Sequence, residues 1–233
     1  MFANLMTALS SQCRVCHAWP AQPVCEACVD QFAQPHHRCT TCAISLHGEA
    51  EQCGACLKTS PQLDLCLTAV SYSYPWSQLI VDYKFHDHPA LVRSFATLLR
   101  STPWVEFALE QADVLIPIPL STQRLQQRGY NQSLLLARQL NRDKTRADVL
   151  LRIKDTPSQH TLKRAQRLTS LNGAFALDPL KVNSIEGARV VLIDDVMTSG
   201  ASLTTAARVL RTAGAAHITG VVFARTTDAF RAT

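Results

Sequence analysis

The sequence predicts an α/β fold, a parallel sheet flanked by helices, behind a small cysteine-rich module. Three observations carry that reading. From residue 65 onward, short apolar runs alternate with helical stretches, the pattern of strand–helix units whose sheet is covered on both faces. One run, Val190-Val191-Leu192-Ile193, leads into adjacent carboxylates, Asp194 and Asp195, then into a loop of small residues that opens a periodic helix. Eight of the nine cysteines fall into four Cys-x-x-Cys pairs.

Residues 1–60 are assigned to the cysteine module and residues 61–233 to the α/β domain, with Thr59-Ser60-Pro61 as the boundary. Long periodic segments are scarce in the module, as expected where metal replaces apolar burial. Residues 4–9 suit a short helix ahead of the pairs Cys13/Cys16, Cys25/Cys28, Cys39/Cys42 and Cys53/Cys56. In a reducing compartment such pairs ligate zinc, since one pair supplies two thiolates to a tetrahedral ion. Equal ten-residue gaps separate Cys28 from Cys39 and Cys42 from Cys53, so the module reads as a duplication. Two structural zinc ions, one per successive pair of knuckles, is the preferred arrangement; interleaved ligation and a single metal are the alternatives. His17, His36, His37 and His47 are read as surface residues because the cysteines already close two sites. Cys66 stands alone and is expected to be buried.

In the α/β domain, residues 65–72 read as a strand, 76–84 and 89–99 as helices, and 114–118 as a short buried strand stiffened by Pro117 and Pro119. Residues 131–140 are helical, 149–153 and 175–177 strand-like, and 162–169 a helix or a mobile loop. The runs 190–193 and 218–223 complete the strand set. Such alternation argues a parallel sheet with ligands outside the carboxyl ends of its strands.

The net charge of +5 is unevenly placed: three basic and five acidic residues in 1–66 give −2, and twenty and thirteen in the remainder give +7. Arg138, Arg142, Lys144, Arg146, Arg152, Lys154, Lys163, Arg164 and Arg167 lie within thirty residues. That concentration suits a polyanion, diphosphate or nucleic acid; solvated helix faces are the plain reading for part of the set. No run approaches the roughly 20 apolar residues of a membrane span. The start lacks the basic region and apolar core of a secretory signal. A cytoplasmic location without membrane insertion is expected.

A strand, a glycine-containing loop and a helix start make an anion site, because free backbone N–H groups and the positive helix end face the incoming charge. The loop here is Thr198-Ser199-Gly200-Ala201-Ser202, and three of its residues add hydroxyl donors. Carboxylates beside such a loop repel an anion unless they have separate work. Hydrogen bonds to vicinal hydroxyls, or help in holding magnesium, would be such work, and a sugar phosphate satisfies both halves. Strand, Asp-Asp, Val and Thr-Ser-Gly-x-Ser together resemble the signature of the type I phosphoribosyltransferases. The resemblance implies that Asp194 and Asp195 grip the ribose hydroxyls of phosphoribosyl pyrophosphate while residues 198–202 wrap its 5′-phosphate.

A second cluster follows the strand 114–118. Arg124 and Arg128, four apart, share one side if the stretch between them is helical. Gly129 frees the chain to bend and Asn131 suits a helix cap. Arginines held near a strand end are natural diphosphate clamps. The four cysteine pairs, Tyr83-Lys84-Phe85, Pro117-Ile118-Pro119, Arg124-x-x-x-Arg128-Gly129-Tyr130-Asn131-Gln132, the segment 159–175 and Asp194-Asp195 come in this order. That order resembles the ComF family, phosphoribosyltransferase-like proteins linked to natural competence and DNA uptake, over essentially the whole chain. The resemblance implies a double zinc ribbon followed by a type I phosphoribosyltransferase fold. It puts Lys84 and the 117–120 turn at pyrophosphate contacts and Arg124 and Arg128 in the arginine motif. It puts Gln159, His160, Lys163, Arg164, Arg167 and Asn172 in a loop closing over the substrate.

The expected function is magnesium-assisted transfer of a phosphoribosyl group to an acceptor that the sequence does not name. No residue stands out as a general base. The alternative keeps the fold without turnover: a sensor or adaptor binding the sugar phosphate, with single-stranded DNA or a protein of the competence machinery as partner. Arg14, Arg38 and Lys58 are the only basic residues of the module, and Phe32 and Trp19 its obvious aromatics beyond Phe2. Such a surface suits protein docking as well as base stacking. No His/Asp cluster has the spacing of a catalytic metal site, which disfavours a metal-dependent hydrolase.

Overall fold

Uninterrupted runs of β-branched and aliphatic residues need cover on both sides, and a parallel sheet between helices provides it. The computed structural model describes residues 12–19, 22–59, 62–85, 88–153 and 173–227. Its strands are β1 (Leu65–Ser71), β2 (Val114–Pro117), β3 (Leu150–Arg152), β4 (Phe175–Leu177), β5 (Arg189–Met197) and β6 (His217–Arg225). The α-helices ahead of β2 are α1 (Glu26–Phe32), α2 (Gly54–Lys58), α3 (Trp76–Phe85), α4 (Leu91–Arg100) and α5 (Val105–Gln111). After it come α6 (Thr122–Arg128), α7 (Gln132–Asn141) and α8 (Ala201–Thr212). Strands β1, β6, β5 and β2 lie side by side in that order, all parallel. Among the described residues, no helix is long and apolar enough to cross a membrane.

The core has two layers because successive strand residues face opposite ways. On one face Val191, Ile193, Val221 and Phe223 pack with Leu79 of α3, Phe95 of α4 and Leu136 of α7. On the other, Val190, Leu192, Ile218 and Val222 pack with Leu203, Ala206 and Leu210 of α8. The cysteines divide between the layers. Cys13 and Cys28 join the α3 side, whereas Cys39 and Cys42 join the α8 side. The N-terminal segment therefore embraces the sheet at β1. Trp76 Nε1 donates to the Phe32 carbonyl at 2.8 Å on one side, and the Cys66 N–H donates to the Thr40 carbonyl at 2.7 Å on the other.

Three expectations change. The runs 149–153 and 175–177 do not join the parallel sheet; β3 and β4 pair antiparallel as a separate ribbon. Both are short and buried on one side only, which an antiparallel pair tolerates and a parallel strand between helices does not. Helix α5, unassigned from sequence, buries Val105, Ala108 and Leu109 at helical spacing. Strand β5 does not stop at Ile193 but runs through both acids, still paired to β6 as far as Met197. Burial on both faces ends at Ile193, so apolar patterning underestimates the strand although its backbone pairing continues. Residues 4–9 and 162–169 lie outside the described residues. His17, His36, His37 and His47 are exposed and Cys66 is buried.

Candidate functional site

The parallel strands end on one side of the sheet, and β5 carries its two acids just before it stops. Alternation sends the carboxylates apart. Asp194 accepts from Ser133 Oγ at 2.8 Å and from the Asp195 N–H at 2.9 Å. Asp195 pairs with Lys84, Nζ to Oδ1 2.8 Å, between side chains only 16% and 11% exposed. Burial, then the charge of Asp195, pushes the Asp194 carboxyl up to about 7. Lys84, Ser133 and the Asp195 N–H favour the charged form but are outweighed.

Aromatic packing places Lys84. Phe95 stacks on Phe223 with centroids 3.9 Å apart, and Tyr83 meets Phe95 edge-on at 5.3 Å. The Tyr83 hydroxyl donates to the Gln132 carbonyl at 2.8 Å, and the Tyr130 hydroxyl donates to the Tyr83 carbonyl. The last turn of α3 is thus tied to the start of α7. Asn131 caps α7, accepting from the N–H groups of Ser133 and Leu134 at 2.9 and 3.2 Å. That cap orients the turn from which Ser133 reaches Asp194.

Helix α6 makes the stretch between Arg124 and Arg128 helical, and the two guanidiniums take different surroundings. Burial and Arg128 pull Arg124 down, while the charges of Asp194 and Asp195 hold it up, so Arg124 shares the field of the two acids. Arg128 donates to Gln132 Oε1 at 3.2 Å and lies over the Phe85 ring, 4.9 Å from its centroid. At the loop, Gly200 takes φ 79° as the N-cap of α8, and a Cβ there would lie 2.5 Å from Met197 Cε. Thr198, Ser199 and Ser202 are partly exposed, whereas Gly200 and Ala201 are buried. Ser199 Oγ accepts the Ala201 N–H at 3.3 Å, and the remaining first-turn N–H groups of a helix have no intrahelical partner.

Behind the loop lies Arg225, 1% exposed. Its guanidinium donates to the carbonyls of Cys42 at 2.8 Å and Met197 at 2.9 Å, and to that of Thr198. Sequence reading missed it, although a charge ending an otherwise apolar strand was a usable signal. Ser133 gave no such signal, whereas Tyr83 and Gln132 stood in the quoted motifs without an assigned role. Lys163 and Arg164 lie outside the described residues. A cavity of about 680 Å³ lies toward the opposite strand ends, lined by Leu65, Trp104, Phe107, Arg189 and His217. Neither Asp194 nor Asp195 and none of the 198–202 loop lines it, so the cavity and the charged site do not coincide.

The eight paired cysteines form two tetrads, Cys13, Cys16, Cys25, Cys28 and Cys39, Cys42, Cys53, Cys56, with sulfurs within 4.8 Å of one another. Ligation by successive knuckles is therefore the arrangement the fold presents. A zinc ion with sulfurs at about 2.3 Å needs a tetrahedral edge of about 3.8 Å. The sulfurs of Cys13 and Cys28 are 3.9 Å apart, those of Cys16 and Cys25 3.6 Å, and those of Cys42 and Cys53 3.7 Å. The donor set fits. Burial pushes the Cys13 thiol up, but backbone donors at Cys16, Cys25 and Val15 bring it down to about 6. Burial likewise opposes, and donors at Cys53, Cys42 and Thr41 prevail, at Cys39, which falls to about 7. N–H groups aimed at sulfur favour the thiolate that a metal requires.

Comparison with known proteins agrees with this geometry. The family described as "Phosphoribosyl transferase domain" matches residues 127–230. The chain is similar to Competence protein F of Haemophilus influenzae, with 33% identity over 202 residues, 84% of this chain and 87% of that one. It is similar to Competence protein ComFC of Bacillus subtilis, 30% identical over 84% of this chain and 81% of that protein. DNA utilization protein YhgH of Escherichia coli is 28% identical over 88% of this chain and 92% of its own length.

Proposed function

From the premise that this chain belongs to the ComF family of competence proteins and carries a phosphoribosyltransferase domain, we propose that it binds phosphoribosyl pyrophosphate with magnesium at the end of β5 and transfers the phosphoribosyl group to an acceptor, in the service of DNA uptake. The observation that carries the proposal is one place in the fold. Two carboxylates, a lysine and an arginine share a field beside a glycine-capped helix start. Asp194 and Asp195 accept from the ribose 2′- and 3′-hydroxyls, and Thr198, Ser199, Ser202 and the α8 N–H groups donate to the 5′-phosphate. Lys84 exchanges its bond to Asp195 for the diphosphate, with Arg124 and Arg128 on the same flank. In the transfer, the bond from the anomeric carbon to diphosphate oxygen breaks as the bond to the acceptor forms. Bound magnesium supplies neutralising charge to the leaving diphosphate. Lys163 and Arg164 would close over the site, excluding water that competes with the acceptor. Each cysteine tetrad holds one structural zinc.

The test is titration calorimetry with phosphoribosyl pyrophosphate and magnesium. Charge-assisted hydrogen bonds contribute about 1.5–3 kcal/mol each, so Asp194→Asn/Asp195→Asn should bind on the order of a hundredfold more weakly. Asp178→Asn, outside the loop, should bind as the parent does. Unchanged affinity in the double variant would remove the sugar-phosphate assignment. A diphosphate-release screen over acceptor bases then separates transfer from a sensor that binds without turnover.

A further inference from the structure

We propose that Arg225 is a positioning residue that couples the metal state of the second cysteine tetrad to the shape of the 198–202 loop; the inference deepens the sugar-phosphate reading above and rests on it for the ligand involved. Arg225 ends β6, the strand between β1 and β5. Its Nε donates to the Cys42 carbonyl, inside a knuckle of the second tetrad. Its Nη1 donates to the carbonyls of Met197 and Thr198, where β5 becomes the loop. The same nitrogen reaches the Thr226 carbonyl at 3.3 Å and Thr226 Oγ1 at 3.2 Å, and Thr226 Oγ1 in turn lies 3.4 Å from the Thr198 carbonyl. One planar, buried group thus spans the knuckle and the loop. Arginine suits this because its donors sit in a rigid fork and its charge is permanent.

Electrostatics gives the span a direction. A zinc ion bound by four thiolates carries two net negative charges. The second tetrad has two guanidiniums bonded to its backbone: Arg225 at Cys42, and Arg38, which donates to the Ala43 carbonyl at 3.2 Å and to Ser71 Oγ at 3.0 Å. Two positive groups would offset that charge. Without the metal the knuckle loses the ion that pins it, and the Cys42 carbonyl that accepts from Arg225 Nε is no longer held in place. A buried guanidinium whose acceptor moves shifts with it or admits water. Any such movement draws on the carbonyls of Met197 and Thr198, and with them the donors meant for a 5′-phosphate. The first tetrad packs on the opposite sheet face, against α3, so among the described residues a metal there would have no comparable route to the loop.

Linkage makes the coupling reciprocal, which allows a test without variants. Zinc-loaded protein is followed by hydrogen exchange while a chromophoric chelator withdraws the metal. Loss of zinc from peptides covering 39–56 should speed exchange in 197–203 at least tenfold, and loss from 13–28 should leave it unchanged. Phosphoribosyl pyrophosphate with magnesium should slow zinc release from the second tetrad severalfold and not from the first. Arg225→Met should release that zinc faster, bind the sugar phosphate at least tenfold more weakly and uncouple the loop from the metal. Arg225→Lys, which keeps charge but not the fork, should retain zinc better than Arg225→Met while leaving ligand affinity low. Loop exchange indifferent to second-tetrad zinc in the wild-type chain, or a lysine variant that restores full affinity, would overturn the proposal. Absence of sugar-phosphate binding with coupled exchange intact would instead overturn the function proposed above and leave the Arg225 coupling standing.

Discussion

Replacing Asp194 by asparagine should stabilise the ligand-free protein, increasingly as pH rises above about 4. Asparagine keeps the oxygen that accepts from Ser133 Oγ and from the Asp195 N–H and removes the charge alone. The wild-type carboxyl is held near 7 by burial and by Asp195, against about 3.9 in an unfolded chain. Between those values the native protein keeps a proton that the unfolded chain has released, so stability falls as pH rises through the window. Above pH 7 the burden is complete. About three units at about 1.4 kcal/mol each set a ceiling of about 4 kcal/mol. Asp194 is partly open to solvent, so about half of that, ~2 kcal/mol, is the working figure. For a chain of this size it corresponds to about 4–8 °C in Tm. Denaturation of both proteins, zinc-loaded and magnesium-free, at pH 5, 6, 7 and 8 measures the difference. The gain should be largest at pH 8 and shrink to about a third by pH 5. A variant no more stable at pH 8, or a gain that ignores pH, would refute the burial argument.

Protein purified reduced and without chelator should contain about two zinc ions in all-sulfur sites at about 2.3 Å by X-ray absorption, and Cys13→Ser should lose one of them; metal-free protein would remove both sites. Gly200→Ala should lose about 1–2 kcal/mol of stability from its left-handed backbone and bind the sugar phosphate more weakly, because Met197 must also give way; calorimetry showing parental affinity would free the loop from that geometry. If the basic stretch binds single-stranded DNA, affinity should fall steeply with salt and drop further when Lys163, Arg164 and Arg167 are replaced together. Salt-insensitive binding, or none at low salt, would direct the search to a protein partner.

Local patterning made much of this molecule legible. The strand runs at Val190 and Ile218, the cap at Asn131 and the knuckle spacing each depend on a few neighbouring residues, and each stands in the structure as a strand, a cap or a tetrad. What patterning could not give depends on contacts between distant residues. The Lys84–Asp195 pair joins positions 84 and 195, and Arg225 meets Cys42 across 183 residues. The β3–β4 ribbon was misjudged for the same reason, since strand direction is set by the partner and not by composition. The strand through Asp194 and Asp195 was cut short because apolar periodicity reports burial, whereas the backbone pairing with β6 reports geometry.

The acids themselves indicate what the sheet end is for. A fold selected for stability alone would put apolar side chains where Asp194 and Asp195 stand, since replacing buried charges with packed apolar groups is often neutral or stabilising. Instead, one carboxyl is pushed toward neutrality by its surroundings and the other holds a lysine in a largely buried pair. An aromatic stack, a capped helix, two hydrogen bonds between α3 and α7 and one from Tyr130 to α3 fix the groups in these positions. Hydroxyl donors from a sugar would satisfy the acids, and an anion would draw off the lysine. The free protein therefore carries an electrostatic cost that such a ligand would relieve, which is how a preorganised site differs from a structural ion pair.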